Sequence, residues 1–371
     1  MKTEKILNPV PSDILEVELT KARFVKDTER GGNKVYVFSG KECPFLMIQI
    51  GILREMSFRN GGGGTGLRID IDRWDEFDPT KIPVDSPYYD LDYFNALGPF
   101  TENGFKQLIV WDPENKEIVG GYRYAKMDDF ISKDREYIDS PTTEMFNYSR
   151  DFVRLYAPYM CELGRSFIQP KYQLRADYMP PKKAMYALDN LFDGLGTLVV
   201  DHKDIQYFFG KVTMYKTYNR QARNMILYYL NKHFPDTHHL VTPKVDLIPP
   251  GLKDEIDLLE TIFIGNTERE DKKILIKSLR TIKETMPPLF NKYPEMSRKM
   301  KVFGNAINHH CGEVEETAIM IKIADIVEDY RRTYILNYFK QRYPFKYLLR
   351  RLLSHLSTFF KKLLKKFGHK E

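Results

Sequence analysis

Tyr159-Met-Cys-Glu-Leu-Gly-Arg-Ser-Phe-Ile168 is the stretch on which the reading of this chain turns. Met160, Leu163, Phe167 and Ile168 give it the apolar character of a short buried strand. Within it stand Glu162 and Arg165, charges that seldom enter a core unless paired or put to use. Gly164 lies between them, and a glycine inside a strand marks a bulge or a close backbone approach. Residues three apart on a regular strand face opposite sides. A bulge at Gly164 would turn Glu162 and Arg165 to the same side. Two readings are open here: a structural ion pair at a strand end, or two members of a reactive site.

Working outward, residues 34–39 are rich in β-branched and aromatic side chains and read as a strand. From 44 to 60, Phe45, Ile48, Ile52, Leu53 and Met56 recur at helical spacing, on a helix that also carries Arg54, Glu55 and Arg59. Gly61-Gly-Gly-Gly-Thr-Gly66 follows this helix and does not lead from a strand into one, which argues against a nucleotide loop. The acidic stretch with Asp70, Asp72, Asp75, Glu76 and Asp78 is expected to be a solvated loop, with a metal or amine site as the alternative. Residues 106–112 and 117–124 form a hairpin about the turn Asp112-Pro-Glu-Asn115, with Arg123 late in its second strand.

A helix is expected near 144–156, just ahead of the opening strand. After that strand, residues 169–183 make a long basic loop with Lys171, Arg175, Lys182 and Lys183, opening a helix that runs from 184 to about 200. Cations beside a helix N-terminus favour anions. A strand over 205–215, ending at Tyr215, precedes a helix over 220–232. Beyond 235 come proline-punctuated helical segments, strand-like runs at 300–308 and 316–322, and a helix over 325–342.

The chain has 371 residues, 42% hydrophobic and 13% aromatic, which is a globular composition with ample core. Cys43, Cys161 and Cys311 are too far apart for a disulfide framework or a zinc knuckle, and a reducing compartment fits. Neither a signal-peptide core nor a run of about 20 apolar residues is present, so a cytoplasmic protein is expected. The net charge of +6 sits in residues 345–371, which hold eight Lys/Arg and one acid. The body is nearly neutral, so a general nucleic-acid role has no support. In that tail Leu349, Leu352, Leu356, Phe359, Leu363 and Phe367 form an apolar stripe opposite Arg351, Lys361 and Lys365. A basic amphipathic helix over 345–370 is read as lying on an anionic membrane surface, the other reading being a helix docked on the body.

The order strand, helix, acidic loop, hairpin, helix, Glu-Leu-Gly-Arg-Ser strand, basic loop and helix resembles the GNAT fold. More narrowly it resembles the long-chain N-acyltransferases of lyso-ornithine and lyso-glycine lipid synthesis, whose Bacteroidetes members are often labelled hemolysins. The resemblance rests on Leu53-Arg-Glu-x-x-Phe-Arg59, the glycine-rich loop, Asp70-x-Asp72 with Glu76-Phe-Asp78, Gln107-Leu-Ile-Val-Trp-Asp112 and Val119-Gly-Gly-Tyr-Arg123. It continues through Glu162-Leu-Gly-Arg-Ser-Phe167, Phe209-Gly-Lys-Val-Thr-Met-Tyr215 and Phe303-Gly-Asn-Ala-Ile-Asn308. It spans residues 14–340 and departs from the family at Arg73-Trp-Asp75, Phe192 and Cys311. The resemblance implies an α+β fold with a central mixed twisted sheet flanked by helices, plus the C-terminal amphipathic helix. It implies an acyltransferase core at 1–235, an extension at 236–342 packed on it, and the tail at 343–371.

The implied reaction is N-acyl transfer from the thioester of an acyl carrier protein, or of CoA, to the amine of glycine or ornithine, the acyl chain being long and including 3-hydroxy forms. No bound cofactor or metal is implied. Glu162 is the expected base, Arg165 its orienting partner or a clamp for the acceptor carboxylate, and Tyr215 or Tyr218 the proton donor to sulfur. Arg54, Arg59, Asp78, Arg123, Gly164 and Ser166 are expected around the acceptor, and Lys171, Arg175, Lys182 and Lys183 at the donor phosphate or carrier. Other classes considered are an acyl-homoserine-lactone-synthase-like enzyme, a non-enzymatic membrane-active protein and a lysophospholipid O-acyltransferase. The last is disfavoured because no histidine has an Asp at the His-x-x-x-x-Asp spacing.

Overall fold

A computed structural model describes residues 3–174, 179–245, 252–349 and 352. In chain order the elements are α1 (Ser12–Glu18), β1 (Phe24–Asp27), β2 (Lys34–Phe38), α2 (Pro44–Gly61), α3 (Leu91–Ala96), β3 (Lys106–Asp112), β4 (Glu117–Lys126), β5 (Phe146–Tyr148) and β6 (Met160–Ile168). They continue with α4 (Ala187–Asp201), β7 (Tyr207–Met214), α5 (Arg220–His233), β8 (Val241–Pro243), α6 (Leu252–Ile262), α7 (Glu268–Thr281), α8 (Pro288–Met296), β9 (Lys301–Asn308) and β10 (Val314–Lys322). A helical run over residues 328–342 follows.

One mixed sheet of eight strands, in the order β1-β2-β3-β4-β6-β7-β10-β9, organises the chain. Its neighbours are antiparallel except β6 and β7, which are parallel. The near-continuous apolar run of β3 is explained by burial on both faces. Leu108 and Val110 pack with Leu191, Leu195 and Leu198 of α4. Ile109 and Trp111, on the other face, pack with Leu46, Ile50 and Leu53 of α2. Farther along, Val212, Met214, Ile319 and Ile321 are covered by α5, α7 and α8. The strands β9 and β10, from the segment after residue 235, complete the same sheet.

Helix α2 is apolar on nearly every side and is buried along most of its length. Its first turn lacks a side-chain cap of its own. The Glu18 carboxylate supplies one, accepting from the Phe45 and Leu46 N–H groups at 3.1 and 2.7 Å.

Two expectations change. Residues 144–156 are not one helix. A 3-10 turn (Pro141–Glu144) ends where they begin, and they hold the short strand β5 paired with β8 and a single π-helical turn (Phe152–Tyr156). The β5 partner, Val241–Pro243, lies almost a hundred residues away, and local periodicity carries no sign of it. The acidic stretch is not a solvated loop either: Asp70 and Asp75 are buried, and both are paired with arginines. Most of the amphipathic tail, residues 350–351 and 353–371, lies outside the described residues. Among the described residues no helix is long and apolar enough to cross a membrane.

Candidate active site

The site forms where β6 and β7 part. Their ladder runs from Met160↔Tyr207 to Leu163↔Gly210 and then stops. On its other edge β6 stays paired with β4, but the register shifts: Gly121 faces Phe167, Arg123 faces Gly164, and Tyr122 alone faces Arg165 and Ser166. The bulge is therefore at Arg165–Ser166, one residue beyond the glycine that the sequence suggested. Arg165 takes the left-handed conformation itself, at φ 48°. Gly164 serves a different purpose, close approach: a Cβ there would lie 3.3 Å from Arg123 Nε.

A cleft of about 1140 Å³ opens at this parting and reaches both faces of the sheet. Glu162, Arg123 and Arg165 line it on one face, and Leu188 and Leu289 on the other. A narrower apolar crevice of about 70 Å³ adjoins it, walled by Phe192, Leu195, Val199, Tyr293 and Tyr334. The two share Leu163–Ser166 and Lys211.

Glu162 is 2% exposed, and its face of the sheet is otherwise apolar around Met160 and Phe209. One oxygen accepts from Thr142 Oγ1 at 2.5 Å; the other has no hydrogen-bond partner among the described residues. The same Thr142 oxygen accepts from Lys211 Nζ at 2.5 Å, and Lys211 lies 3.9 Å from Glu316. Glu162 and Arg165 both line the cleft but do not pair with each other. Arg165 Nε meets Asp70 at 3.0 Å and its Nη2 meets Asp72 at 3.3 Å.

Those two aspartates belong to a closed set of three arginines and three aspartates. Arg54, fully buried, bridges Asp75 at 3.1 Å and Gln107 at 2.7 Å. Arg123 meets Asp72 at 2.7 Å and Asp75 at 3.2 Å, with its guanidinium over the Phe105 ring. Charges balance within the set. Burial raises the Asp70 carboxyl above its usual range against the pull of Arg165, whereas Arg123 and Arg165 hold Asp72 well below it despite its burial.

The remaining expected residues divide sharply. Tyr215 lines the cleft, its ring against Gly61 and Gly63, and burial pushes its hydroxyl up to about 12. Ser166 lines it too, as does Tyr218, whose hydroxyl donates to the Thr285 carbonyl. Arg54, Arg59, Asp78, Lys171, Lys182 and Lys183 do not line the cleft. Arg59 binds Glu55 at 2.6 Å and tethers the Glu4 carbonyl, and Asp78 caps a 3-10 turn through the Thr80 N–H. Lys171 is paired with Glu117, and Lys183 with Asp112 and Glu114. Lys182 begins a 3-10 turn, and Arg175 lies outside the described residues. The glycine-rich loop does hold an anion, but it is the chain's own Glu55, bound by the Thr65 and Gly66 N–H groups at 2.9 Å.

Thr142, Lys211 and Glu316 were not expected at the site. A signal for Lys211 was present: at a period of two it shares a strand face with Phe209, where a lysine is out of place. Thr142 gave none.

Among the described residues no group of His, Cys, Asp and Glu is arranged to hold a metal ion. The arrangement offers a buried carboxylate with a free oxygen, a hydroxyl, an ammonium and a long apolar-walled opening. These suit proton transfer beside a bound chain.

Comparison with known proteins agrees with this chemistry. An "Acetyltransferase (GNAT) domain" model matches residues 89–179. A protein of Phocaeicola vulgatus named glycine N(alpha)-acyltransferase is 41% identical over 91% of this chain and 94% of its own length. One of the same name from Bacteroides thetaiotaomicron is 42% identical over 90% of each chain. No significant match to a solved structure is found.

Proposed function

The chain belongs to the GNAT-type N-acyltransferases, and from that premise we propose that it moves a long fatty acyl group from a thioester to the amine of glycine in aminolipid synthesis. The observation that carries this reading is the junction of two cavities at the β6–β7 parting: a mixed cleft of about 1140 Å³ with Glu162 on its wall, and an apolar crevice beside it. A pantetheine-borne thioester threads the gap between the strands, its acyl chain entering the crevice between α4 and α8, which must widen beyond about 70 Å³ to take a long chain. The names of the relatives support glycine over ornithine.

In the reaction, the unpartnered Glu162 oxygen takes the ammonium proton of the acceptor. The amine attacks the thioester carbon, the C–S bond breaks, and the sulfur receives a proton. Arg165, held by Asp70 and Asp72 at the mouth of both cavities, attracts the acceptor carboxylate. Either acyl carrier protein or CoA can present the pantetheine arm. With Lys171 and Lys183 already paired within the chain, a carrier's acidic surface would have to displace Glu117, Asp112 and Glu114 there. The basic charge and apolar stripe of residues 345–370 support a further role on an anionic membrane surface.

Mass spectrometry tests the whole reading. Purified protein is incubated with isotope-labelled glycine and a C16 acyl thioester of acyl carrier protein or CoA. Labelled N-acylglycine is expected; its absence with both donors, under conditions where the protein is folded, rejects the reading.

A further inference from the structure

Resting on that reading, we propose that Lys211 is the proton donor to the departing sulfur and that the Thr142 hydroxyl reconnects it to Glu162, so that base and acid form one relay. The geometry is specific. Thr142 is fully buried, and its single hydroxyl hydrogen must serve one neighbour while its oxygen serves the other. Lys211 can only donate, so the hydroxyl accepts from Lys211 and donates to Glu162, each at 2.5 Å. Such a hydroxyl carries a proton between its neighbours by reversing both bonds.

Lys211 is also placed for the sulfur. It is the first β7 residue past the last rung shared with β6, and it lines both the cleft and the crevice, where the thioester group must sit. Glu316, 3.9 Å away, attracts its ammonium. Tyr215 lines the cleft as well, but no hydrogen bond joins its hydroxyl to Glu162 or Thr142 among the described residues.

The proton balance closes. The acceptor's ammonium gives one proton to Glu162, which releases it to solvent in the cleft. The amine then forms the N–C bond, and its second proton goes to Glu162. As the C–S bond breaks, the electron pair leaves on sulfur, which takes a proton from the Lys211 ammonium. The protonated carboxyl turns its proton toward Thr142, and in the same step as sulfur is protonated the Glu162 proton passes to the Thr142 oxygen and the Thr142 hydrogen passes to Lys211, recharging the amine as it is spent. The enzyme is restored, with an amide, a free thiol and one proton released.

The test compares leaving groups in single-turnover transfer to glycine. An alkyl thioester expels a thiolate that titrates near the cysteine range, about 8.5, and gains from protonation; an aryl thioester of the same acyl chain needs it far less. Thr142→Val and Lys211→Met are each expected to lose about 100-fold or more with the alkyl donor and about tenfold or less with the aryl donor. Thr142→Ser, which keeps the hydroxyl, is expected to hold the alkyl rate within a few-fold of wild type. If Thr142→Val does not fold, Thr142→Ala takes its place, and Lys211→Met tests the donor separately. Equal losses with both donors, or no loss with the alkyl donor, overturn the relay and leave acyl transfer standing. Wild-type protein inert toward both donors overturns acyl transfer itself, and the relay with it.

Discussion

Two groups of charged residues lie on the same side of this sheet, and they are built on opposite plans. The Arg54–Arg123–Arg165 set is closed in charge: three guanidiniums face three aspartates and Gln107 accepts from Arg54, though the Nε groups of Arg54 and Arg123 have no hydrogen-bond partner among the described residues. The Glu162 group is open: its carboxylate meets the Thr142 hydroxyl and no cation directly, Lys211 lies 3.9 Å from Glu316, and one Glu162 oxygen has no partner among the described residues. A buried charge that is fully matched holds elements together; one left partly unmatched in a cleft is available to a substrate. Arg165 links the two, bound within the closed set yet lining both cavities.

The largest structural effect should come from opening the closed set. Arg54→Met leaves Asp75 with Arg123 as its one guanidinium partner and the buried set one positive charge short, and is expected to cost about 3–5 kcal/mol in urea unfolding. A cost below about 1 kcal/mol would mean that the set is not the clamp described. A smaller effect is expected in the crevice. Val199→Trp should reduce transfer from C16 donors relative to C8 donors by about tenfold, read from competition between the two chains. An unchanged ratio would move the acyl chain elsewhere.

Smaller again is an effect of pH at the hairpin turn. Burial acts to raise the Asp112 carboxyl, but hydrogen bonds from Lys183, Asn115 and Tyr172 outweigh it and hold the group at about 2. Its unfolded value is about 3.9, so this contribution is fully present above pH 4 and is lost as pH falls toward 2. Asp112→Asn should therefore melt below wild type at pH 6, and the gap should narrow by pH 2. Smallest is Lys171→Ala, whose partly exposed pair with Glu117 should contribute less than about 1 kcal/mol to unfolding.

The contrast between the two groups also shows what the sequence reveals. The strands, the hairpin and α2 follow from apolar periodicity and turn chemistry, because those signals are local. The bulge was legible to within one residue, since Gly164 marks the place where Arg123 needs room. What was hidden depended on partners far along the chain. Asp70 and Asp72 read as solvated acids until Arg165 and Arg123, 95 and 51 residues away, close on them. Lys171 and Lys183 read as free cations until the hairpin brings Glu117 and Asp112 beside them. Thr142 read as nothing at all, because a threonine in an irregular segment has no period to break.

The central claim is that the free oxygen of Glu162 takes the acceptor's proton, and chemical rescue tests it most directly. Glu162→Ala leaves a space beside Thr142 that a small carboxylate such as formate fits. The expected result is a folded variant whose transfer of acyl chains to glycine falls by about 100-fold or more and is partly restored by added formate. Transfer at the wild-type rate by the folded variant without formate would contradict the claim.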